Sequence, residues 1–199
     1  MGILMAIVDF IPVSLFLIAA IILQRELYYM MSKGAFALFS AGTITVFVAG
    51  FFKATWKLLY ALNICDFVAL SQCFFPMQTV GFVLAASGVV AMLCHKQGKG
   101  TAYSVAVVPA AFTSSMPFVV LMVLGVAVLD ASLCVVAKRR KCVGAIVLFL
   151  VSFVFIMGMG YLSSRDFTDP AMNWLAEGVN TIGQGSFLAA ALLLKKAKA

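Results

Sequence analysis

The sequence predicts an all-α polytopic membrane protein: a helical bundle of about seven transmembrane helices, with six as the alternative. Three observations predict it. Hydrophobic residues make up 64% of the 199 residues, charged residues make up 11%, and mean hydropathy is +1.13. A soluble domain runs at about 45–50% apolar and about 25% charged; a soluble fold of this length would leave too much apolar side chain wet. The basic residues fall almost wholly between apolar runs, where membrane-flanking charges sit. Residues 1–199 are therefore read as one integral membrane domain. A soluble enzyme, a nucleic-acid-binding domain and a disordered chain are excluded.

An apolar stretch of about 20 residues crosses the ~30 Å hydrocarbon core as a helix. Polar breaks at Arg25–Gly34, Lys53–Lys57, His95–Gly100, Lys138–Lys141 and Ser163–Pro170 leave apolar blocks at about 3–24, 35–52, 58–94, 101–137, 142–162 and 171–194. The block 58–94 would be ~55 Å long as one helix, at about 1.5 Å per residue. Its break is Phe74-Phe75-Pro76-Met77, where aromatics beside a proline suit a turn at the membrane interface. This predicts helices over 57–74 and 77–94. The competing reading is an interfacial helix at 54–65 and one kinked span. In the block 101–137, Ser115-Met116-Pro117 reads as a helix start, giving a span at 114–137. The piece 101–112 is too short to span and reads as a connector, an interfacial piece or a re-entrant half-helix.

Charge then sets orientation. Only the terminal amine is positive before the first span, and Arg25 and Lys33 follow it. That places the N-terminus outside and argues against a cleaved signal peptide. With seven spans the C-terminus is cytoplasmic, and the basic residues divide nine inside to five outside: Arg25, Lys33, Lys138, Arg139, Arg140, Lys141, Lys195, Lys196 and Lys198 against Lys53, Lys57, Lys96, Lys99 and Arg165. Six spans give the same division but need the N-terminus inside. The cluster Lys138, Arg139, Arg140 and Lys141 reads as a topology signal and as a contact for anionic lipid at the cytoplasmic face, not for nucleic acid.

Residues 9–35 and 114–140 align at an offset of 105, pairing Pro12 with Pro117 and Lys33 with Lys138. This outlines two three-helix repeats at 1–75 and 106–194, with a linker helix at about 77–94, and Asn63 and Asn180 in corresponding third helices. With seven spans the triplets run parallel; with six they are inverted. Secondary transporters are commonly built either way. The parallel layout resembles that of the sugar-transporting SWEET proteins and other PQ-loop proteins. The resemblance is of layout alone: the Pro-Gln dipeptide is absent, and Pro76-Met77-Gln78 does not replace it.

Ionisable groups within the membrane are costly, about 2.5–3.5 kcal/mol at a helix centre on insertion scales. Asp9 and Asp130 are expected near span ends, and Glu26, Asp166 and Asp169 in or beside loops, which leaves Asp66 and Glu177. The last helix places Asn173, Glu177, Asn180, Thr181 and Gln184 at i, i+4, i+7, i+8 and i+11, one polar face over its first half. Gly178, Gly183 and Gly185 allow close backbone approach nearby. A carboxylate there needs a cation or a proton, and Arg165 is a candidate partner. Asp66 is expected mid-helix with Asn63 one turn earlier. Asn173, Glu177, Asn180, Gln184, Asn63 and Asp66 are thus the candidate substrate-binding or proton-coupling residues. Asn173 and Thr181 taken singly, like Gln78, Gly81 and Gly88, read as packing.

The five cysteines include no CxxC pair and His95 is the only histidine, so zinc or haem has almost nothing to be built from and no cofactor is expected. The predicted function is a small secondary transporter or permease for a small solute, proton-coupled through a membrane carboxyl. The alternative is a non-transport membrane module, a sensor or a subunit of a complex. An enzyme is not expected. A homo-oligomer is compatible with either reading.

Overall fold

The computed structural model describes residues 2–94, 116–162 and 170–197. Every regular element among them is helical. The order is α1 (Ile3–Val8), α2 (Phe10–Leu27), α3 (Lys33–Ala61), α4 (Val68–Gln72), α5 (Phe74–Cys94), α6 (Met116–Arg139), α7 (Val143–Leu162) and α8 (Pro170–Lys196). Asp9 keeps helical angles between α1 and α2, so the two stack as one rod. Ile3–Met30, Lys33–Ala61, Val68–Cys94 and Pro117–Arg139 are long and apolar enough to cross a membrane. The run Val143–Met159 is apolar and shorter. Large apolar side chains such as Ile18, Leu124, Leu150 and Val154 are exposed on the outside of the bundle. This is the surface of a membrane-embedded bundle, where lipid takes the place of water.

The local signals behave as their chemistry requires. Pro12 and Pro117 sit in the first turns of α2 and α6, where the missing N–H costs nothing. Ser32 caps α3, its hydroxyl accepting from the Ala35 N–H at 3.2 Å. Asn63 ends α3 in the left-handed region at φ 54°; its N–H donates to Tyr60 O and that of Ile64 to Leu59 O. Lys141 ends α6 in the same way at φ 56°, its N–H donating to Lys138 O and that of Cys142 to Ala137 O. Both are Schellman closures.

The long helices pack in chain order, α2 on α3, α3 on α5, α5 on α6, α6 on α7 and α7 on α8, and α8 returns to α2. α3 and α5 are antiparallel and the closest pair. A Cβ on Gly88 would lie 2.7 Å from both Ala35 O and Phe39 N, so only glycine permits this approach. At the two seams between α2–α3–α5 and α6–α7–α8 the helices run parallel. Thr79 donates to Phe118 O at 2.7 Å on one seam, and Gly125 meets Phe82 and Val83. On the other, Phe16 stacks on Phe187 with centroids 6.0 Å apart. The core runs along the axis through Phe16, Leu23, Phe82, Leu129, Phe149, Phe187 and Leu194.

Two sequence expectations are corrected. Lys53–Lys57 is not a break: α3 continues through it, because both ammonium groups find partners inside the bundle. The expected helix over 57–74 is therefore not formed. Its residues make the end of α3, an irregular stretch at 62–67 and α4, and Pro76 lies in the first turn of α5. Asn63 lies past the end of α3 and not within a third helix as Asn180 lies within α8, and the place of the expected linker helix at 77–94 is taken by α5, packed between α3 and α6. The connector read at 101–112 lies outside the described residues, as do His95 and Arg165.

Candidate functional site

A cavity of about 660 Å³ lies on the bundle axis between all the long helices. It opens at the end where α1 begins. Gly2, Trp56, Phe74 and Trp174 form its mouth; Phe16, Val46, Phe82 and Val126 lie at its floor. Beyond the floor the axial core fills the bundle. At the far end Arg140 ties the elements together: Nη1 donates to Glu26 Oε2 and to Leu194 O, each at 3.1 Å, and Nη2 to Glu26 O at 3.3 Å. The cavity thus has one open end and one closed end.

Helix α8 supplies the polar wall. Asn173, Glu177, Asn180 and Gln184 all line the cavity, as their spacing on one face implies. Glu177 is only 7% exposed. Its Oε1 is buried with no hydrogen-bond partner among the described residues, and so is Gln184 Oε1.

The opposite wall carries charges that pattern reasoning placed elsewhere. Asp9, at the α1–α2 junction, is buried and ion-paired with Lys57 of α3. Its carboxyl also lies within hydrogen-bonding reach of Glu177. Lys53, one turn deeper on α3, has its ammonium 3.9 Å from the ring centroid of Phe74 and within electrostatic range of Glu177 and Asp9. The cluster is two carboxyls and two ammonium groups. Gln78 of α5 adds an amide to the wall.

Asn63 and Asp66 are not part of this site. Both are exposed beyond the end of α3, and Asp66 Oδ1 accepts from Trp56 Nε1 at 2.9 Å. Their polar groups mark a helix stop and a rim contact, which apolar block lengths do not distinguish from mid-membrane positions. Of the three glycines on α8, Gly183 meets a close neighbour, Phe155 Cβ at 3.2 Å from an added Cβ; Gly178 and Gly185 have none within 4 Å among the described residues. In the basic cluster, Lys138, Arg139 and Lys141 are exposed, but Arg140 is held inside by Glu26 and Leu194 and is not available to lipid.

No family profile matches the chain, and no curated protein or solved structure matches it.

Proposed function

We propose that this chain is a small secondary transporter or permease and that the axial cavity is its solute site. The carrying observation is the half-buried polar face of α8, with a buried Glu177 oxygen that no donor among the described residues reaches, lining a chamber open at one end and closed at the other. A chamber of this size is typical for a small solute. Glu177, beside Asp9, is the coupling carboxyl in this reading; Asn180, Gln184 and Asn173 are the hydrogen-bonding groups. Alternating access would come from rocking of the α2–α3–α5 triplet against α6–α7–α8 along the two parallel seams. Matching helix directions in the two triplets support a parallel repeat.

The proposed orientation keeps the N-terminus outside and the C-terminus cytoplasmic; of the seven expected spans the one over 57–74 is lost, which leaves six long helices among the described residues. The described chain starts at the open end and finishes at the closed end, which supports termini on opposite sides of the membrane. Of the ten described Lys and Arg, only Lys53 and Lys57 sit at the open end; Arg25, Lys33, Lys138, Arg139, Arg140, Lys141, Lys195 and Lys196 are at the closed end. By the positive-inside rule this distribution supports a cytoplasmic closed end, where Lys138, Arg139 and Lys141 would meet anionic lipid.

One observation favours a second reading. A chamber with a single entrance also suits a sensor that binds a solute without passing it. The two readings separate on access. With the five native cysteines replaced, Asn180→Cys should react with a membrane-impermeant maleimide from the outside and, in a fraction of molecules, from the cytoplasmic side. A transporter requires both; labelling from the outside alone identifies the sensor.

A further inference from the structure

We propose that the cavity takes a zwitterionic amphiphile, a molecule with an α-amino-acid head and an apolar side chain. The ammonium sits on Glu177, the carboxylate on Lys53, and the apolar body points inward. This rests on the reading of the cavity as a solute site and names the solute's chemistry.

The charge pattern carries the argument. Asp9 is already paired with Lys57. The remaining pair, Glu177 and Lys53, is incompletely satisfied: Glu177 lies against the Asp9 carboxyl, no donor among the described residues reaches its buried Oε1, and the Lys53 ammonium rests on the Phe74 ring. A buried acceptor without a donor is costly and calls for one from the ligand. An amine alone would add an uncompensated positive charge to a balanced cluster in low dielectric, and a carboxylate alone would add a negative one. A zwitterion satisfies both groups and leaves the net charge unchanged.

The depth profile supplies the second half. Glu177 and Gln184 are two turns apart on α8, about 10 Å at ~1.5 Å per residue. The apolar lining of the cavity includes Pro12, Val13, Phe16, Phe47 and Phe82. That chamber suits an aromatic or branched aliphatic side chain. A sugar would leave hydroxyls against these residues without partners.

The test measures binding to the purified full chain in lipid nanodiscs by calorimetry, with phenylalanine, phenethylamine, 3-phenylpropionate and glycine as probes. Phenylalanine should bind at least about tenfold more tightly than phenethylamine and 3-phenylpropionate, the scale expected for one lost charge-assisted contact, and at least about tenfold more tightly than glycine, which keeps both charges but buries no ring. Glu177→Gln should remove the preference for phenylalanine over 3-phenylpropionate, and Lys53→Met the preference over phenethylamine. Each variant is checked for a wild-type elution profile and thermal transition. If a variant fails that check, the wild-type comparison of the four probes still decides. Phenethylamine or 3-phenylpropionate binding as tightly as phenylalanine would overturn the proposal, and so would the absence of saturable binding by phenylalanine. If Asn180→Cys labels from both sides but phenylalanine does not bind, the solute class is wrong and the transporter reading stands. If phenylalanine binds but labelling is one-sided, the transporter reading fails and the solute class stands.

Discussion

Replacing Arg140 by Met should destabilise the bundle by about 3–5 kcal/mol, the cost of removing one partner from a buried ion pair. The magnitude depends on burial. Arg140 and Glu26 keep only 13% and 11% of their side-chain surface, at an N–O separation of 3.1 Å. An exposed pair with the same geometry would contribute about 0–1 kcal/mol. Arg140 also donates to Leu194 O, so the substitution removes a link between α2, the α6–α7 turn and the end of α8. Arg140→Lys keeps the charge but lacks the fork that reaches two helices at once. It should recover only part of the loss. Equilibrium unfolding in mixed micelles, with Arg140→Met, Glu26→Gln and the double variant, gives the coupling, expected at about 0.5–3 kcal/mol for residues in contact. A loss under about 0.5 kcal/mol for Arg140→Met, or a coupling near zero, would refute the claim that this contact holds the closed end together.

Three further outcomes follow from particular contacts. Gly88→Leu should force α3 and α5 apart, because even its Cβ would meet Ala35 O and Phe39 N at 2.7 Å; a loss of more than about 3 kcal/mol or failure to accumulate is expected, and a normal thermal transition would contradict the packing. Asn63→Gly should be tolerated while Asn63→Val costs about 1–2 kcal/mol, since φ 54° suits glycine and strains a β-branched residue; equal stabilities in the two variants would contradict the Schellman closure. Replacing Lys138, Arg139 and Lys141 by Gln with Arg140 retained should reduce co-purified anionic lipid and leave stability nearly unchanged, as read by lipid mass spectrometry and a thermal melt; unchanged lipid would remove these side chains as a lipid contact.

The sequence carried the polar face of α8 because four polar side chains at helical spacing leave a periodic signature, and Glu177, Asn180 and Gln184 could be aligned without knowing any neighbour. It carried the breaks at Arg25–Gly34 and Lys138–Lys141 because charge clusters are local. It could not carry the fate of Lys53 and Lys57. An ammonium group at an interface and one inside a bundle look alike until the partner is known, and the partners are Asp9, 48 positions before Lys57, and the ring of Phe74. The same blindness misplaced Asn63 and Asp66: once α3 was cut at Lys53, they fell into a helix that does not exist. Arg140 was legible as a charge but not as a clasp, because Glu26 lies on the far triplet.

The central claim is that solute movement is coupled through Glu177. Proteoliposomes containing the full chain and a lumenal pH dye should be challenged with a panel of amino acids, amines, sugars and organic acids, alongside Glu177→Gln vesicles with the same protein content. Glu177 faces Asp9, Lys53 and Lys57, so the variant keeps every other titratable group of the site while removing its own proton. The account predicts a solute-driven pH change with wild type that Glu177→Gln abolishes without loss of fold. A pH change of equal size in the variant, or none with any solute in wild type, would contradict it.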